Sequence, residues 1–160
     1  MSEPNPIDRR LPALAAFRGT ELGVSEWKLI DQESIDAFSA LTGDAGPIHN
    51  DPTKAAEIAP FGGTIVQGFF MLSHLTGFAK NLRLPAEAVF RLNYGFDRVR
   101  LLAPVPVDSR IRGRFTLKDL TARGADGALL TMEATVEADG VDRPALVADW
   151  LAFLQLHPEA

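Results

Sequence analysis

The alternation of apolar and polar positions divides this chain into a mainly helical first half and a β-rich second half. Residues 23–31 alternate weakly, which predicts a strand. Asp31 is then a suitable N-cap for a helix that runs to about Thr42, where Gly43 provides the left-handed residue that ends it. Residues 50–58 predict a short second helix with a proline in its first turn.

The stretch from residue 69 to residue 82 is apolar on almost every side of a helix, and such a helix is normally buried. Beyond residue 88 the pattern predicts strands at residues 89–96, 99–102, 110–120, 128–138 and 145–156. Turn-forming segments separate the last three strands, which predicts an antiparallel meander. The pattern indicates an α+β fold. The hotdog fold, a curved antiparallel sheet wrapped around a long central apolar helix, would account for it, although other two-layer sandwiches stay open.

Length and composition restrict the functional classes. The 160 residues suit a single domain over residues 1–160, in which residues 1–16 are predicted to form a loose N-terminal arm. The net charge of −5 and the scattered positions of the 16 lysines and arginines argue against nucleic-acid binding and against binding to a membrane. The start does not have the pattern of a secretion signal, so the expected location is cytoplasmic.

Metal and thiol chemistry is not expected. The chain contains no cysteine, which excludes disulfides, thiolate metal sites and cysteine nucleophiles. The three histidines, at positions 49, 74 and 157, do not have the spacing of a metal-binding motif, so no metal site is predicted. His74 falls within the apolar helix and is predicted to be a core or interface residue. His157 lies near the C-terminus and is predicted to be solvated.

The segment TGDAGPIHND, residues 42–51, contains the strongest candidate for chemistry. It places Asp44 and His49 five positions apart across a Gly-Pro corner. A carboxylate and an imidazole held close together can act as an acid/base pair. The same residues could equally be a turn carboxylate and a packed histidine, and the segment alone leaves both interpretations open.

Residues 38–78, which read FSALTGDAGPIHNDPTKAAEIAPFGGTIVQGFFMLSHLTGF, resemble the MaoC-like dehydratases, a family that includes the R-specific enoyl-CoA hydratases. The family motif has the form G-D-x-N-P-[L/I]-H-x-D-P, followed by a short helix and a phrase that ends in H-G. Residues 91–115 are also similar to these proteins, especially to a subgroup named for a nodulation protein. The resemblance implies the hotdog fold and a homodimer. It also implies an acyl-thioester substrate carried on coenzyme A or an acyl-carrier protein, with no further cofactor.

The resemblance also implies roles for individual residues. Asp44 and His49 match the catalytic pair of the family, and Gly68 matches the glycine whose N–H binds the thioester carbonyl. The first N–H groups of a helix have no partner within the helix, so a helix that starts at Gly68 would suit this role. Thr76 falls where some R-hydratases have an active-site serine.

Two positions depart from the family motif. Gly46 stands where the family usually has asparagine, and Gln67 stands where the histidine of the H-G phrase is expected. Glutamine keeps the capacity for hydrogen bonds but cannot titrate. Together with Gly68 and Thr76, these two positions are the predicted oxyanion- and substrate-binding part of the site.

The function expected from the resemblance is that of a hydro-lyase. The reaction would be R-specific hydration of trans-2-enoyl thioesters, or the reverse dehydration of 3-hydroxyacyl thioesters. Two alternatives stay open, a hotdog acyl-CoA thioesterase and a non-catalytic protein that binds acyl thioesters. The departures at Gly46 and Gln67 are the reason for keeping the non-catalytic alternative.

Overall fold

A single antiparallel sheet organises the molecule. The structure is a computed structural model, and it describes residues 5–82, 84 and 87–158. Over these residues the sheet has six strands: β1 (Glu21–Val24), β2 (Lys28–Ile30), β3 (Phe90–Leu101), β4 (Ser109–Ala122), β5 (Gly127–Ala138) and β6 (Leu146–Gln155). Their order is β1-β4-β5-β6-β3, and β2 pairs with the same edge of β4 as β1 does, nearer to the start of β4. The predicted meander is therefore confirmed as β4-β5-β6.

The helices of the described residues all precede β3: α1 (Pro6–Arg10), α2 (Pro12–Ala15), α3 (Gln32–Thr42), α4 (Pro47–Asn50), α5 (Pro52–Ile58) and α6 (Gly68–Phe78). The Asp31 carboxylate accepts a hydrogen bond from the Ser34 N–H at 2.9 Å, and Gly43 ends α3 with φ of 78°, so the predicted limits of this helix are confirmed. None of the helices in the described part of the chain is long and apolar enough to cross a bilayer.

The core lies between α6 and the meander. On β5 the residues Leu130, Met132, Ala134 and Val136 are all buried, as the alternation in the sequence predicts. Helix α6 packs against β4, β5 and β6 through three buried side chains, Met71, Leu75 and Phe78. The α+β architecture predicted from the sequence is what the structure contains.

The prediction that the apolar helix is buried on all sides is wrong for one face. Phe69 is 68% exposed. Two residues that follow it on the same side of α6 are also accessible: Leu72 is partly exposed and Thr76 is exposed. The sheet of one chain can cover only one side of a helix. The apolar composition of the other side is therefore not explained by packing within the described part of this chain.

Two predicted strand boundaries also differ from the structure. Residues 23–31 are divided between the short strands β1 and β2, whereas residues 89–96 and 99–102 belong to one strand, β3. The pairing of β3 with β6 shifts between Asn93 and Gly95 and again between Phe96 and Arg98. These bulges interrupt the alternation of side chains without ending the strand, which explains why the pattern suggested two strands.

The described part of the N-terminal segment is docked, so the prediction of a loose arm over residues 1–16 is wrong for residues 5–16; residues 1–4 lie outside the described residues. Ile7, Leu11 and Leu14 are buried against the core. Arg10 donates hydrogen bonds to the carbonyls of Ala125 and His157, both at 2.7 Å. The three apolar residues have the spacing of one helix face, which indicates a segment that packs against the core. The prolines in the segment were instead interpreted as a sign of a loose arm.

Candidate functional site

His49 lies at the third position of α4, and its ring orientation is set by a backbone carbonyl. Its Nδ1 lies 2.7 Å from the carbonyl oxygen of Ile65. A carbonyl can only accept a hydrogen bond, so Nδ1 carries the proton and Nε2 is the acceptor of the neutral ring. The Ile65 N–H in turn donates to the carbonyl of Ile48 at 3.0 Å. The imidazole is thus held in one orientation with Nε2 available to a ligand or a water molecule.

The backbone of His49 is held by a second set of contacts from α3. The side-chain amide of Gln32 donates to the His49 carbonyl at 2.8 Å. The Gln32 Oε1 accepts a hydrogen bond from the hydroxyl of Thr64, a buried residue, at 2.6 Å. Helix α3, helix α4 and the segment before α6 are therefore joined around this histidine.

Asp44 follows the left-handed Gly43, and its backbone is fixed while its side chain is free. Its carbonyl accepts hydrogen bonds from Ser39 Oγ at 3.0 Å and from Gln67 Nε2 at 3.3 Å. Its N–H donates to Thr42 Oγ1 at 3.2 Å. The side chain is exposed, and within the described residues its carboxyl group has no hydrogen-bond partner. The carboxyl group is consequently free to bind a small molecule.

Gln67 is fully buried and contacts the protein rather than the pocket. Its Nε2 lies 2.8 Å from Ser39 Oγ and 3.2 Å from the carbonyl oxygen of Ile35, in addition to its contact with Asp44. Because two of these three acceptors are carbonyls, the orientation of the amide is not ambiguous. Gln67 precedes α6, yet its side chain does not cap that helix. It connects α3 and the Asp44 loop to the start of α6.

Asn50 is a site residue that the sequence analysis missed. Its Oδ1 accepts hydrogen bonds from the Gly46 N–H at 3.2 Å and from Ser39 Oγ at 3.1 Å. Its Nδ2 donates to the Asp36 carboxylate at 2.7 Å, and hydrogen bonds from Asn50 and Gln32 hold the pKa of Asp36 below its ordinary value. An asparagine at position 50 therefore anchors the backbone at Gly46, where this chain lacks the amide side chain of the family motif.

Ser39 is the second residue that was missed, and it joins Gln67 to Asn50. It is buried on α3, four residues after the buried Ile35. Helical spacing places both positions on the same face, so a hydroxyl on the core side of α3 was the available sequence signal. We call Gln67, Ser39 and Asn50 the anchoring triad, because their side chains hold the backbone of Asp44 and Gly46.

A pocket of about 240 Å³ opens beside His49 and the start of α6. It is lined by His49, Ile65, Val66, Gly68, Met71 and residues 101–104. The N–H groups of the first turn of α6 have no acceptor within the helix, and they lie at its positive end. A Cβ atom at Gly68 would lie only 2.2 Å from Leu101 Cδ1, so a larger residue at this position would displace the Leu101 side chain. The pocket therefore combines an imidazole acceptor with backbone donors.

The other predicted site residues are not among the described residues that line this pocket. Asp44, Gly46 and Gln67 belong to the loop and its anchors. Thr76 is exposed further along α6, and its hydroxyl donates to the Ser73 carbonyl at 3.1 Å. Among the described residues, no group of three or more histidine, aspartate or glutamate side chains is placed to hold a metal ion. Of the predicted site residues, the structure thus places His49 and Gly68 in the lining of one pocket.

Comparison with known sequences gives the family of this chain. Residues 14–141 match the MaoC like domain. Nodulation protein N of Rhizobium leguminosarum bv. viciae is 45% identical over 141 residues, which cover 88% of each chain. The 3-hydroxyacyl-thioester dehydratase Z of Mycobacterium tuberculosis is 39% identical over 136 residues, which cover 85% of this chain and 89% of that protein.

Comparison with solved structures gives the fold. A monoamine oxidase regulatory protein from Archaeoglobus fulgius superposes with a TM-score of 0.74 at 23% identity, over 84% of this chain and 88% of that chain. The (R)-hydratase from A. caviae involved in PHA biosynthesis has a TM-score of 0.65 at 23% identity, over 84% of this chain and 97% of that chain. These likenesses confirm the predicted hotdog fold. The chain belongs to the MaoC-like dehydratase family.

Proposed function

We propose that this protein hydrates trans-2-enoyl thioesters to (R)-3-hydroxyacyl thioesters and catalyses the reverse dehydration. One observation carries the proposal: His49, with Nε2 as its acceptor, and the N-terminus of α6 at Gly68 open into the same pocket. Membership of the MaoC-like dehydratase family supports a hydro-lyase that acts on acyl thioesters. The similarity to a 3-hydroxyacyl-thioester dehydratase supports the same class of substrate.

His49 acts as the proton acceptor in this mechanism. A water molecule attacks C3 of the enoyl group, and Nε2 of His49 takes a proton from that water as the C–O bond forms. The imidazolium that results keeps its Nδ1–H bond to the Ile65 carbonyl, which stabilises the positive charge. The proton is then delivered to C2, so that the hydrogen and hydroxyl of one water molecule are added and no net charge remains.

Asp44 orients the attacking water in this proposal. Its carboxyl group is exposed and has no partner in the described part of the chain, whereas its backbone is held by Ser39 and Gln67. A water molecule held by both a carboxyl oxygen and Nε2 of His49 has its lone pair directed away from both groups and toward the substrate. The two residues therefore act as a pair, with the anchoring triad fixing the backbone that carries Asp44.

The N–H of Gly68 polarises the thioester carbonyl. As water attacks C3, the π electrons move toward the thioester oxygen, and negative charge grows there. A backbone N–H at the positive end of α6 stabilises that charge, and removal of such a donor typically costs a factor of about 10²–10³ in rate. Gly68 is part of the lining of the pocket that contains His49, and the absence of a side chain there lets a ligand approach the backbone on the pocket side.

The functional unit in this proposal is a homodimer that takes its substrate on coenzyme A or an acyl-carrier protein. Strand β3 pairs only with β6 over the described residues, which leaves its second edge free. Phe90, Leu92 and Phe96 on this strand are exposed, as is Phe69 on α6. A long apolar edge strand favours pairing with another strand, and a second copy of the same edge is self-complementary about a two-fold axis.

The direct test measures the loss of enoyl-thioester absorbance with crotonyl-CoA for the wild type, Asp44→Asn and His49→Gln. Each substitution is expected to lower kcat by a factor of about 10²–10⁴, because His49→Gln removes the proton acceptor and Asp44→Asn removes the carboxylate that orients the attacking water. Circular dichroism checks that the variants are folded, and chiral separation of the 3-hydroxyacyl product checks the R configuration. Wild-type activity that survives unchanged in both variants contradicts the proposal.

The same preparation separates the alternatives. Release of free thiol from saturated acyl-CoA, without hydration of any enoyl-CoA, identifies a thioesterase. Calorimetric binding of acyl-CoA without any product identifies a binding protein. Hydration of crotonyl-CoA that depends on His49 excludes both of these as the principal activity.

A further inference from the structure

We propose that Leu101 determines which acyl-chain lengths the site accepts, by dividing the apolar space beside Gly68 into an inner and an outer pocket. The inner pocket is the one that contains His49, and the outer pocket is lined by Phe69, Leu72 and Val99. This inference rests on the proposed function, since it assigns the acyl chain of a thioester substrate to these two pockets.

The position of Leu101 on Gly68 is the first observation. The two δ-carbons and the γ-carbon of Leu101 would lie 2.2, 3.2 and 3.2 Å from a Cβ placed on Gly68. The leucine side chain thus occupies the space directly over the residue proposed to bind the thioester carbonyl. The Leu101 side chain is held there by packing, and it is 53% exposed. A smaller residue at position 101 would therefore leave this space open.

The arrangement of the two pockets is the second observation. The inner pocket has a volume of about 240 Å³ and the outer one about 390 Å³. They have two residues in common, Gly68 and Leu101. Because Leu101 contributes a side chain to both linings and Gly68 contributes only backbone, the leucine is the side chain that separates the two spaces.

The chemistry of the outer pocket fits hydrocarbon. Three of its walls are the side chains of Phe69, Leu72 and Val99, and Leu101 forms a fourth. Arg100 also borders it, but the Arg100 guanidinium donates to the Val99 carbonyl at 2.8 Å. A space with apolar walls next to an acid/base residue is the usual surrounding of an acyl tail, which binds by removal of apolar surface from water.

Substrate geometry connects these observations. If the thioester carbonyl is bound at the Gly68 N–H and C3 faces His49, the reacting part of the acyl group lies in the inner pocket. A short acyl group ends there, whereas a longer one can reach the outer pocket only by passing Leu101. Removal of the leucine side chain joins the two pockets, so it favours long chains over short ones. A bulkier side chain has the opposite effect.

The test compares the wild type with Leu101→Ala and Leu101→Phe on crotonyl-CoA and trans-2-octenoyl-CoA. The ratio of kcat/KM for octenoyl-CoA to that for crotonyl-CoA is expected to rise about tenfold in Leu101→Ala and to fall in Leu101→Phe, since each methylene of fit in an apolar pocket changes discrimination about tenfold or more. Leu29→Ala is the matched control, because Leu29 on β2 is 52% exposed and lines neither pocket. Its ratio should equal that of the wild type.

Binding measurements keep the test independent of catalysis. Calorimetry with butyryl-CoA and octanoyl-CoA should show the same change in preference in Leu101→Ala, even if the wild type hydrates neither enoyl substrate and the proposed function fails. An unchanged preference in both assays overturns the assignment of Leu101. A uniform loss for both chain lengths with a change of molar mass in light scattering also overturns it, since Leu101 is then a residue of the interface between copies.

Discussion

Strands β5 and β3 are both 12 residues long and both rich in apolar side chains, yet their surroundings are opposite. β5 lies between β4 and β6, and its core-facing side chains are buried. β3 pairs only with β6 in the described structure, and Phe90, Leu92 and Phe96 on it are exposed. The side chains of β5 are covered by the fold of one chain, and those of β3 are not.

This contrast separates two uses of apolar sequence. On β5 and on the inner face of α6, apolar side chains are buried within the domain and contribute to its stability. On β3 and on the Phe69 face of α6, large apolar side chains are exposed, and a cluster of exposed apolar side chains is a candidate for contact with another molecule. Both the proposed dimer and the proposed acyl-chain pocket use this second surface, and each can be tested by substitution.

The largest expected effect on stability belongs to β5. Leu130→Ala removes a fully buried side chain and should lower the free energy of unfolding by about 2–5 kcal/mol, because it leaves a cavity that neighbours fill only partly. Leu92→Lys on β3 should instead lower the molar mass measured by light scattering, since it places charge on an edge proposed to pair with a second copy. Urea denaturation at several protein concentrations measures the change in stability, and light scattering of the same variants measures the molar mass.

The two substitutions are controls for each other. Leu130→Ala should lower the unfolding midpoint by a similar amount at every protein concentration, whereas the effect of Leu92→Lys should depend on concentration, as it does when assembly stabilises the fold. A Leu92→Lys variant with the molar mass of the wild type and no concentration dependence would contradict the contrast between the two strands.

The next effect concerns the anchoring triad, whose polar contacts hold the backbone of the candidate site in place. Asn50→Ala leaves the Gly46 N–H without its side-chain acceptor and removes a contact of Ser39. We expect kcat to fall by a factor of about 10–100 while KM changes less, because small displacements of catalytic groups cost about this much. Steady-state kinetics with crotonyl-CoA measures the change.

Ser73→Ala is the control for that substitution. Ser73 is an exposed serine on α6, and its hydroxyl donates to the Phe70 carbonyl in its own helix at 2.7 Å. Its kinetic constants should match those of the wild type. If Asn50→Ala lowers the unfolding midpoint but leaves kcat unchanged, Asn50 stabilises the fold without positioning Asp44 or His49.

The smallest effect concerns His74, which lies on α6 between Phe70 and Phe78. Burial lowers the pKa of His74 below its ordinary value, although the hydrogen bond between its Nδ1 and the Phe70 carbonyl opposes this, and the charge of Lys28 lowers it further. The unfolded chain therefore binds a proton more readily than the folded one. Stability should fall as the pH drops below about 6.5, and above that pH this residue should contribute no pH dependence.

The comparison of wild type with His74→Leu measures how much of the pH dependence of stability is due to His74. Thermal unfolding is followed at pH 7.5 and pH 5.5, which lie roughly one unit on either side of the ordinary histidine pKa. Between these two pH values the variant should lose less stability than the wild type does, because leucine cannot take up a proton. Ser73→Leu serves as the control, since Ser73 is exposed on the same helix and has no titratable side chain, so this variant should keep the pH dependence of the wild type. Identical pH dependence in wild type and His74→Leu would contradict the inference.

Much of the fold could be predicted because its signals are local. The limits of α3 follow from the cap at Asp31 and the left-handed Gly43, and the meander follows from alternation and turns within a few residues. The docking of residues 5–16 was missed because prolines suggested a loose segment, while the partners of that segment lie more than a hundred residues away, as in the bond from Arg10 to the Ala125 carbonyl.

The candidate site was predicted in part for the same reason. Asp44, His49 and Gly68 stood out through a motif, but the motif says nothing of how their backbone is held. Ser39 and Asn50 are ordinary polar residues in sequence, and their importance appears only when Gln67, 28 residues from Ser39, is found buried against it. A polar contact between distant segments has no periodicity that a single sequence could display.

The sequence by itself determined α3 and the meander β4-β5-β6, and it supplied the acid, the imidazole and the glycine of the candidate site. It could do so because capping, alternation and motif spacing depend on neighbours along the chain. Only the tertiary structure decided that Nδ1 of His49 is paired with Ile65, so that Nε2 is the acceptor, and that Leu101 lies over Gly68. These features depend on which distant segments meet, and that is set by packing of the whole core.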